Sequence, residues 1–296
     1  MRTMRAAGSQ VVHYTSAANA VSIIRGRTLW LRNAKLMNDF SEIDYGRWCV
    51  TSALDTLTAE WSTLLDGLVT GLAQEVRRRF DRLEGHRLSH TYVLSLSEHL
   101  ASENDMGRLS MWRAYGVGGG VAMIFDPSVF DQEPTGMNIY STVVLYTNAD
   151  GFTLHLREVL AQMQRERATI VALPPETLAD ALATFLHYAV LSTKHPSFAE
   201  EREIRLITGV SDSEIATKSI EVVRGVPQVV WKLPLQDRPE RNYSADLRRM
   251  LNRVIVGPVA QPPIVHEALQ TVLAEEGFPN PPTIVHTSWL PLRSSL

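Results

Sequence analysis

The chain has 296 residues, 45% hydrophobic, 21% charged and 7% aromatic, with a formal net charge of −3. These values exclude collagen-like, low-complexity and wholly disordered chains, and the near-neutral balance carries no polyanion-binding signature. No apolar run reaches the ~18 residues of a membrane-spanning helix. The first ten residues hold Arg2 and Arg5 but no apolar stretch, so no secretory signal is expected. A single cysteine, Cys49, cannot close an internal disulfide and fits a reducing compartment, so the expected location is cytoplasmic.

Val11 to Tyr14 reads as a short strand, and Ser16 as the N-cap of a helix carrying Ala17, Ala20, Val21 and Ile24 before Gly26. Thr28 to Leu31 reads as a second strand. From Asp39 to Leu88 the pattern is helical, with Trp48, Leu54, Leu57, Trp61, Leu64, Leu65, Leu68, Leu72 and Val76 recurring largely at three- and four-residue steps. His90–Ser97 and Gly120–Phe125 are strand-like, as is Thr142–Tyr146. Two helices, about 152–171 and 175–193, are divided by Pro174-Pro175. Ile204–Thr208, Gln228–Leu233, Val254–Val256 and Thr283–His286 complete the strands, with a helix over Ile264–Glu276. Strands and helices mix without regular alternation, which points to an α+β fold.

CxxC, HExxH, GxxxxGK[ST] and GxSxG motifs are absent, and the nine histidines show no metal-ligand spacing, so no metal is expected. Gly116–Gly120 sits between a helix and a strand rather than on a strand-to-helix turn, which reads as a plain turn instead of a phosphate loop. Three constellations remain. His13-Tyr14-Thr15 leaves a strand directly before a helix, fit either to face a crevice or to be satisfied by backbone. Glu201 and Glu203, two apart at what reads as a strand start, project to one side and repel unless solvated or facing a cation, ribose hydroxyls or developing positive charge. Arg202 and Arg205 are their natural partners in the alternative salt-bridge ladder. Trp112 and Tyr115, three apart, share a helical face that suits core packing or a stacking wall near Ser95-Leu96-Ser97. Arg77-Arg78-Arg79 with Arg82 and Arg87 is fit to touch nucleic acid or to pair with Glu75, Asp81 and Glu84 on a solvated helix.

In order along nearly the whole chain, these pieces resemble the bacterial family DUF2971. The resemblance is carried by His13-Tyr14-Thr15, the stretch Ile23 to Trp30, Asn38-Asp39 with Glu42, Leu96-Ser97, Met111-Trp112 with Tyr115, Lys194 to Arg205, Gly257-Pro258 and Ser288 to Arg293. The order of His-Tyr-Thr, a serine-bearing strand end and Glu-x-Glu is in turn similar to ADP-ribosyltransferases. That resemblance implies one domain over 1–296: a split, largely antiparallel sheet with helical insertions at about 41–88 and 152–193, binding NAD in the crevice between its halves. It implies that His13, Tyr14 and Thr15 hold NAD together with Ser97, and that Trp112 or Tyr115 packs near the nicotinamide. It makes Glu203 the catalytic carboxylate and has Glu201 orient the acceptor. The implied activity is transfer of ADP-ribose from NAD to a macromolecular acceptor, protein or nucleic acid, in the style of a toxin or phage-defence effector with a possible antitoxin partner. NAD hydrolysis and a non-catalytic nucleotide-binding module are the alternatives. For such a site, His13 and Glu203 have to face a common pocket; on opposite faces, the implied mechanism is wrong.

Overall fold

The computed structural model describes residues 8–36, 41–87, 90–115, 120–132, 137–209, 213–223 and 225–291. Asn38, Asp39, residues 116–119 and Arg293 lie outside these residues, as do the side chains of Glu84 and Arg87. In chain order the elements are β1 (Gln10–Ser16), α1 (Ala17–Gly26), β2 (Thr28–Asn33), α2 (Ser41–Thr56), α3 (Thr58–Leu68), α4 (Leu72–Arg87), β3 (Tyr92–His99), α5 (Leu109–Tyr115) and β4 (Gly120–Phe125). Then come β5 (Ile139–Val143), β6 (Leu145–Tyr146), α6 (Ala149–Arg165), α7 (Arg167–Ile170), α8 (Pro175–Leu191), β7 (Thr193–Lys194) and β8 (Glu203–Thr208). The chain closes with β9 (Thr217–Val223), β10 (Val226–Pro234), α9 (Leu247–Met250), β11 (Leu251–Val256), α10 (Pro262–Glu275), α11 (Pro281–Ile284) and β12 (Val285–Thr287).

The chain divides into two compact units. The first is built from Met1–Arg32, Tyr92–Val143 and Glu200–Leu296. It holds a ten-stranded, mostly antiparallel sheet in the path β12-β11-β4-β1-β3-β2-β10-β9, with β8 pairing both β3 and β5 and with β11 and β12 running parallel. Its α+β, mostly antiparallel character is the coarse architecture expected. Strand alternation then sorts the side chains. Val11, Val121, Met123, Phe125, Leu94, Leu96, Ile204 and Leu206 face one large core, covered by α1 and α10 through Ile24, Leu269 and Leu273. Val12, Tyr14, Ala122, Ile124 and Ile255 face a smaller core closed by Met111 and Trp112 of α5.

The sheet forks at β3. Its Ser97–His99 end pairs with β1, and its Tyr92–Ser97 stretch pairs with β8 on the other edge. Strand β2 is a third neighbour of β3. Since a strand has only two edges, β1 and β2 share one. Pairing of β1 with β3 stops at Val12↔Ser97, while β1 continues on β4 as far as Ser16↔Gly120. His13-Tyr14-Thr15 is therefore the stretch of β1 that has left β3.

The second unit, Asn33–Thr91 and Val144–Ala199, is mainly helical. Its two chain segments contain both expected helical insertions. Within it α2 packs on α6 and α8, and α4 packs on α8. The first helical stretch is three helices, broken at Leu57 and at Val69–Gly71, where Gly71 takes the left-handed conformation. Pro175 opens α8, at the first helical position where a missing N–H costs nothing.

Candidate functional site

His13 lies opposite Met123 on β1, in step with Val11, so it starts from the large-core face. Its ring bonds the main chain of Ser95 across the fork, and burial, partly offset by that bond, lowers its pKa to about 4. Thr15 is buried with its Oγ1 accepting from Asn19 Nδ2 at 3.1 Å. Tyr14 faces the other way. Its ring meets Trp112 edge-on at 4.9 Å, and its hydroxyl oxygen accepts from the Arg108 backbone N–H at 2.8 Å. Burial pushes this phenol up to about 12 against the pull of Arg108.

Arg108 organises the Tyr14 face. Its Nη1 donates to Ser97 Oγ at 2.9 Å, to the Glu200 carbonyl at 2.7 Å and to the Glu201 carbonyl at 3.0 Å. Its Nη2 donates to the Glu98 carbonyl at 2.6 Å, and Nε pairs with Glu103 at 2.9 Å. Ser97 Oγ itself donates to the Glu201 carbonyl. Arg202 also bonds Glu103. Burial works to raise the Glu103 carboxyl, but Arg108, the Leu100 N–H and Arg202 outweigh it and hold the pKa below the ordinary value. Buried His99 bonds Asn104 through Nε2 at 2.9 Å, and its pKa is lowered chiefly by burial.

Glu203, opposite Ser97 on β8, is buried and lies on the Tyr14 face. Arg205 grips both its oxygens, at 2.7 and 2.9 Å, from the next same-face position. Two expectations are corrected here. Glu201 is not on the strand: it ends a 3-10 turn over Pro196–Glu201, and Arg202 at φ +43° breaks the alternation before β8 begins. The two carboxylates are therefore not a same-side strand pair. Alternation also sets His13 and Glu203 on opposite faces of the sheet, because Val12 pairs Ser97 and Ser97 pairs Glu203, all three on the face His13 does not share. The common pocket expected for both side chains is not formed.

The structure thus brings together Tyr14, Ser97, Trp112 and the Glu201 carbonyl around Arg108, with Glu203 beside Ser97, and leaves His13 and Thr15 behind the sheet at the fork. Trp112 is core: it is 3% exposed, its Nε1 donates to the Met106 carbonyl at 2.7 Å, and Gly107 and Gly257 press on its ring. Tyr115 is half-buried against the same cluster. Sequence reasoning missed Arg108 and Glu103. Neither sits in a pattern that distinguishes it from the chain's other arginines and glutamates; Gly107, which frees the turn before Arg108 at φ +68°, was the nearest signal.

The basic stretch on α4 is engaged with carboxylates: Arg77 with Asp55 and Asp81, Arg78 with Glu75, and Arg79 with Glu75, Glu176 and Asp180. Among the described residues no cluster of three or more His, Cys, Asp or Glu side chains is arranged to hold a metal ion, and no helix is long and apolar enough to cross a membrane.

A forked, mostly antiparallel sheet with a half-buried arginine hub beside a paired glutamate defines an α+β protein of mixed topology. Residues 111–206 match the family described as "Protein of unknown function (DUF2971)". That stretch contains Trp112, Tyr115, Glu201 and Glu203, and stops short of His13-Tyr14-Thr15 and Ser97. No curated protein and no solved structure matches the chain.

Proposed function

We propose that a nucleotide binds at the fork of β1 and β3, on the Ser97–Glu203 face, and that the chain is an NAD-dependent ADP-ribosyltransferase only in a form that works without the His13–Glu203 pocket the resemblance implies, with Glu203 and Ser97 carrying the site. One observation carries the reading: β1 leaves β3 just where the His-Tyr-Thr stretch begins, beside the strand pair that bears Ser97 and Glu203. On the same face, opposite Arg205, Ser95 is exposed and gives a ligand an approach to the strand pair. NAD supplies a nicotinamide–ribose bond whose cleavage develops positive charge on the ribose. A fixed carboxylate in a water-poor site stabilises such charge, so Glu203 has the catalytic role. To act it exchanges one contact with Arg205 for the ribose, and Arg205 keeps the other oxygen aligned. The opposite-face position of His13 reduces its part to bracing the β3 main chain at Ser95, while Tyr14 and Trp112 set the floor by packing. Glu201 contributes through its carbonyl to the turn that aims Glu203; a role in orienting a protein or nucleic-acid acceptor rests on the resemblance alone, as do the toxin or phage-defence setting and an antitoxin partner.

The grip of Arg205 on both Glu203 oxygens favours a second reading, a nucleotide-binding module without turnover. Incubation with NAD labelled in the adenylate, with cell protein, RNA and DNA as acceptors, separates the two. Transfer of label, lost about 10²–10³-fold in Glu203→Gln while circular dichroism shows the variant still folded, supports the transferase. Free ADP-ribose without labelled macromolecule selects hydrolysis. Saturable NAD binding without nicotinamide release, indifferent to Glu203→Gln, selects the module, and no binding at all overturns both.

A further inference from the structure

A cavity of about 740 Å³ lies at the far end of the sheet, lined by Asp105, Met106, Pro263, His266 and the run Val285 to Trp289. Strand β12 ends the sheet path, and no described strand pairs with its outer side. The cavity takes residues from both faces. His266 and Thr287 belong to the α10 side, joined through His266 Nδ1 and Thr287 Oγ1 at 3.0 Å. Met106 belongs to the opposite side, where its carbonyl holds Trp112. A space bordered from both faces and by five consecutive residues of the edge runs along the edge itself.

The main chain is set for pairing there. Ser288 N–H donates inward to the Val256 carbonyl at 2.9 Å. In a parallel ladder the neighbouring Thr287 then turns its N–H and C=O away from β11, to the open side. The edge is short and ends at Trp289, which is held at φ +50° and is 73% exposed. A second, independent mark is Ser288 Oγ: the residue is 6% exposed, lines the cavity, and its hydroxyl has no hydrogen-bond partner among the described residues. A buried hydroxyl left unpaired costs free energy that a ligand group recovers.

We infer that this edge binds an extended polypeptide segment of a partner protein by strand addition, with one basic side chain of the peptide entering the cavity. Main-chain bonds to Thr287 supply affinity that is indifferent to sequence. Specificity comes from the lining, whose carboxylate is Asp105 and which holds, besides His266 and His286, no basic residue, with the exposed Trp289 and Met106 as apolar walls. A guanidinium or ammonium group answers all three, pairing with the carboxylate and stacking on the indole while its methylenes cover the thioether. The site uses none of the groups assigned to NAD, so it stands or falls apart from that reading.

The test is selection of randomised, display-borne hexapeptides on the full chain. Asp105 and Trp289 are exposed, so Asp105→Asn and Trp289→Ala leave the fold intact, which melting temperature checks. Enriched peptides are expected to share an arginine or lysine at one fixed position. Their synthetic forms should bind at least about tenfold more weakly to either variant, the scale of losing one charge-assisted contact. Binding should also slow hydrogen exchange of the Thr287 amide, read by NMR, which a purely side-chain contact leaves unchanged. The inference is overturned if no peptide is enriched, if enriched peptides lack a basic residue, if Asp105→Asn binds as well as the parent, or if the Thr287 amide exchanges at its free rate in the complex.

Discussion

At the scale of single residues, charge here is organised by burial. Arg108 makes contacts to Ser97, Glu103 and three backbone carbonyls, and so stitches the end of β3 to the turn that launches β8. Arg202 accepts a left-handed backbone at the same turn, a conformation that costs a non-glycine residue on the order of 1 kcal/mol and that its contact with Glu103 helps to hold. His13 gives this burial a measurable consequence. Its folded pKa of about 4 lies below the ordinary 6.5, so between these values the unfolded chain binds a proton that the native one refuses. Stability from this group is fully present above pH 6.5 and falls as pH drops towards 4, by roughly 3 kcal/mol at the full shift. Urea unfolding from pH 7.5 to 4.5 should therefore show a steeper loss in the parent than in His13→Gln, which keeps a donor for Ser95 but does not titrate. Parallel profiles between pH 6.5 and 5 would sink the assignment.

At the scale of elements, the seating of α5 depends on glycine. A Cβ at Gly257, just after β11, would stand 2.6 Å from the Trp112 ring, and one at Gly107 2.8 Å from it. Gly257→Ala is expected to destabilise the protein by about 1–3 kcal/mol through overpacking. Combined with Trp112→Leu, which vacates the ring, the alanine should cost much less than it does alone, a coupling that a double-mutant cycle in urea reads directly. Additive effects would show that the ring is not where the clash lies. The same elements show what was legible beforehand. Short runs rich in β-branched and apolar residues at Val11–Tyr14, Gly120–Phe125 and Ile204–Thr208 gave strands within a few residues, because these stretches are largely buried on both faces. Ser16 caps α1 as read, accepting from Asn19 N–H at 3.2 Å. Strand β9 went unread because its apolar residues Ile220 and Val222 face solvent at the sheet edge, so burial never marks it. For the site, residue types were legible but faces were not. Glu201 and Glu203 share a face only if the strand starts before Glu201, and that depends on the φ of Arg202, which no periodicity encodes.

At the scale of the whole molecule, each unit is assembled from separated stretches of chain, so contacts that define a unit join residues far apart in sequence. The helical unit depends on such a contact at Gly46 of α2. A Cβ there would lie 2.1 Å from the Val190 carbonyl of α8, against backbone rather than a movable side chain. Neither helix yields by changing a rotamer, so Gly46→Ala must separate α2 from α8 or tilt one of them. The expected loss is about 3 kcal/mol, at the upper end of overpacking costs, because no flexible group absorbs the added methyl. Because α2 also packs on α6, and α8 on α4, the strain should spread across both chain segments of that unit. Native-state hydrogen exchange read by mass spectrometry should show peptides from 41–87 and from 149–191 losing protection together in Gly46→Ala, as expected of one cooperative unit. If only 41–56 loses protection, the two segments do not share a core, and the helices of the second segment hold themselves.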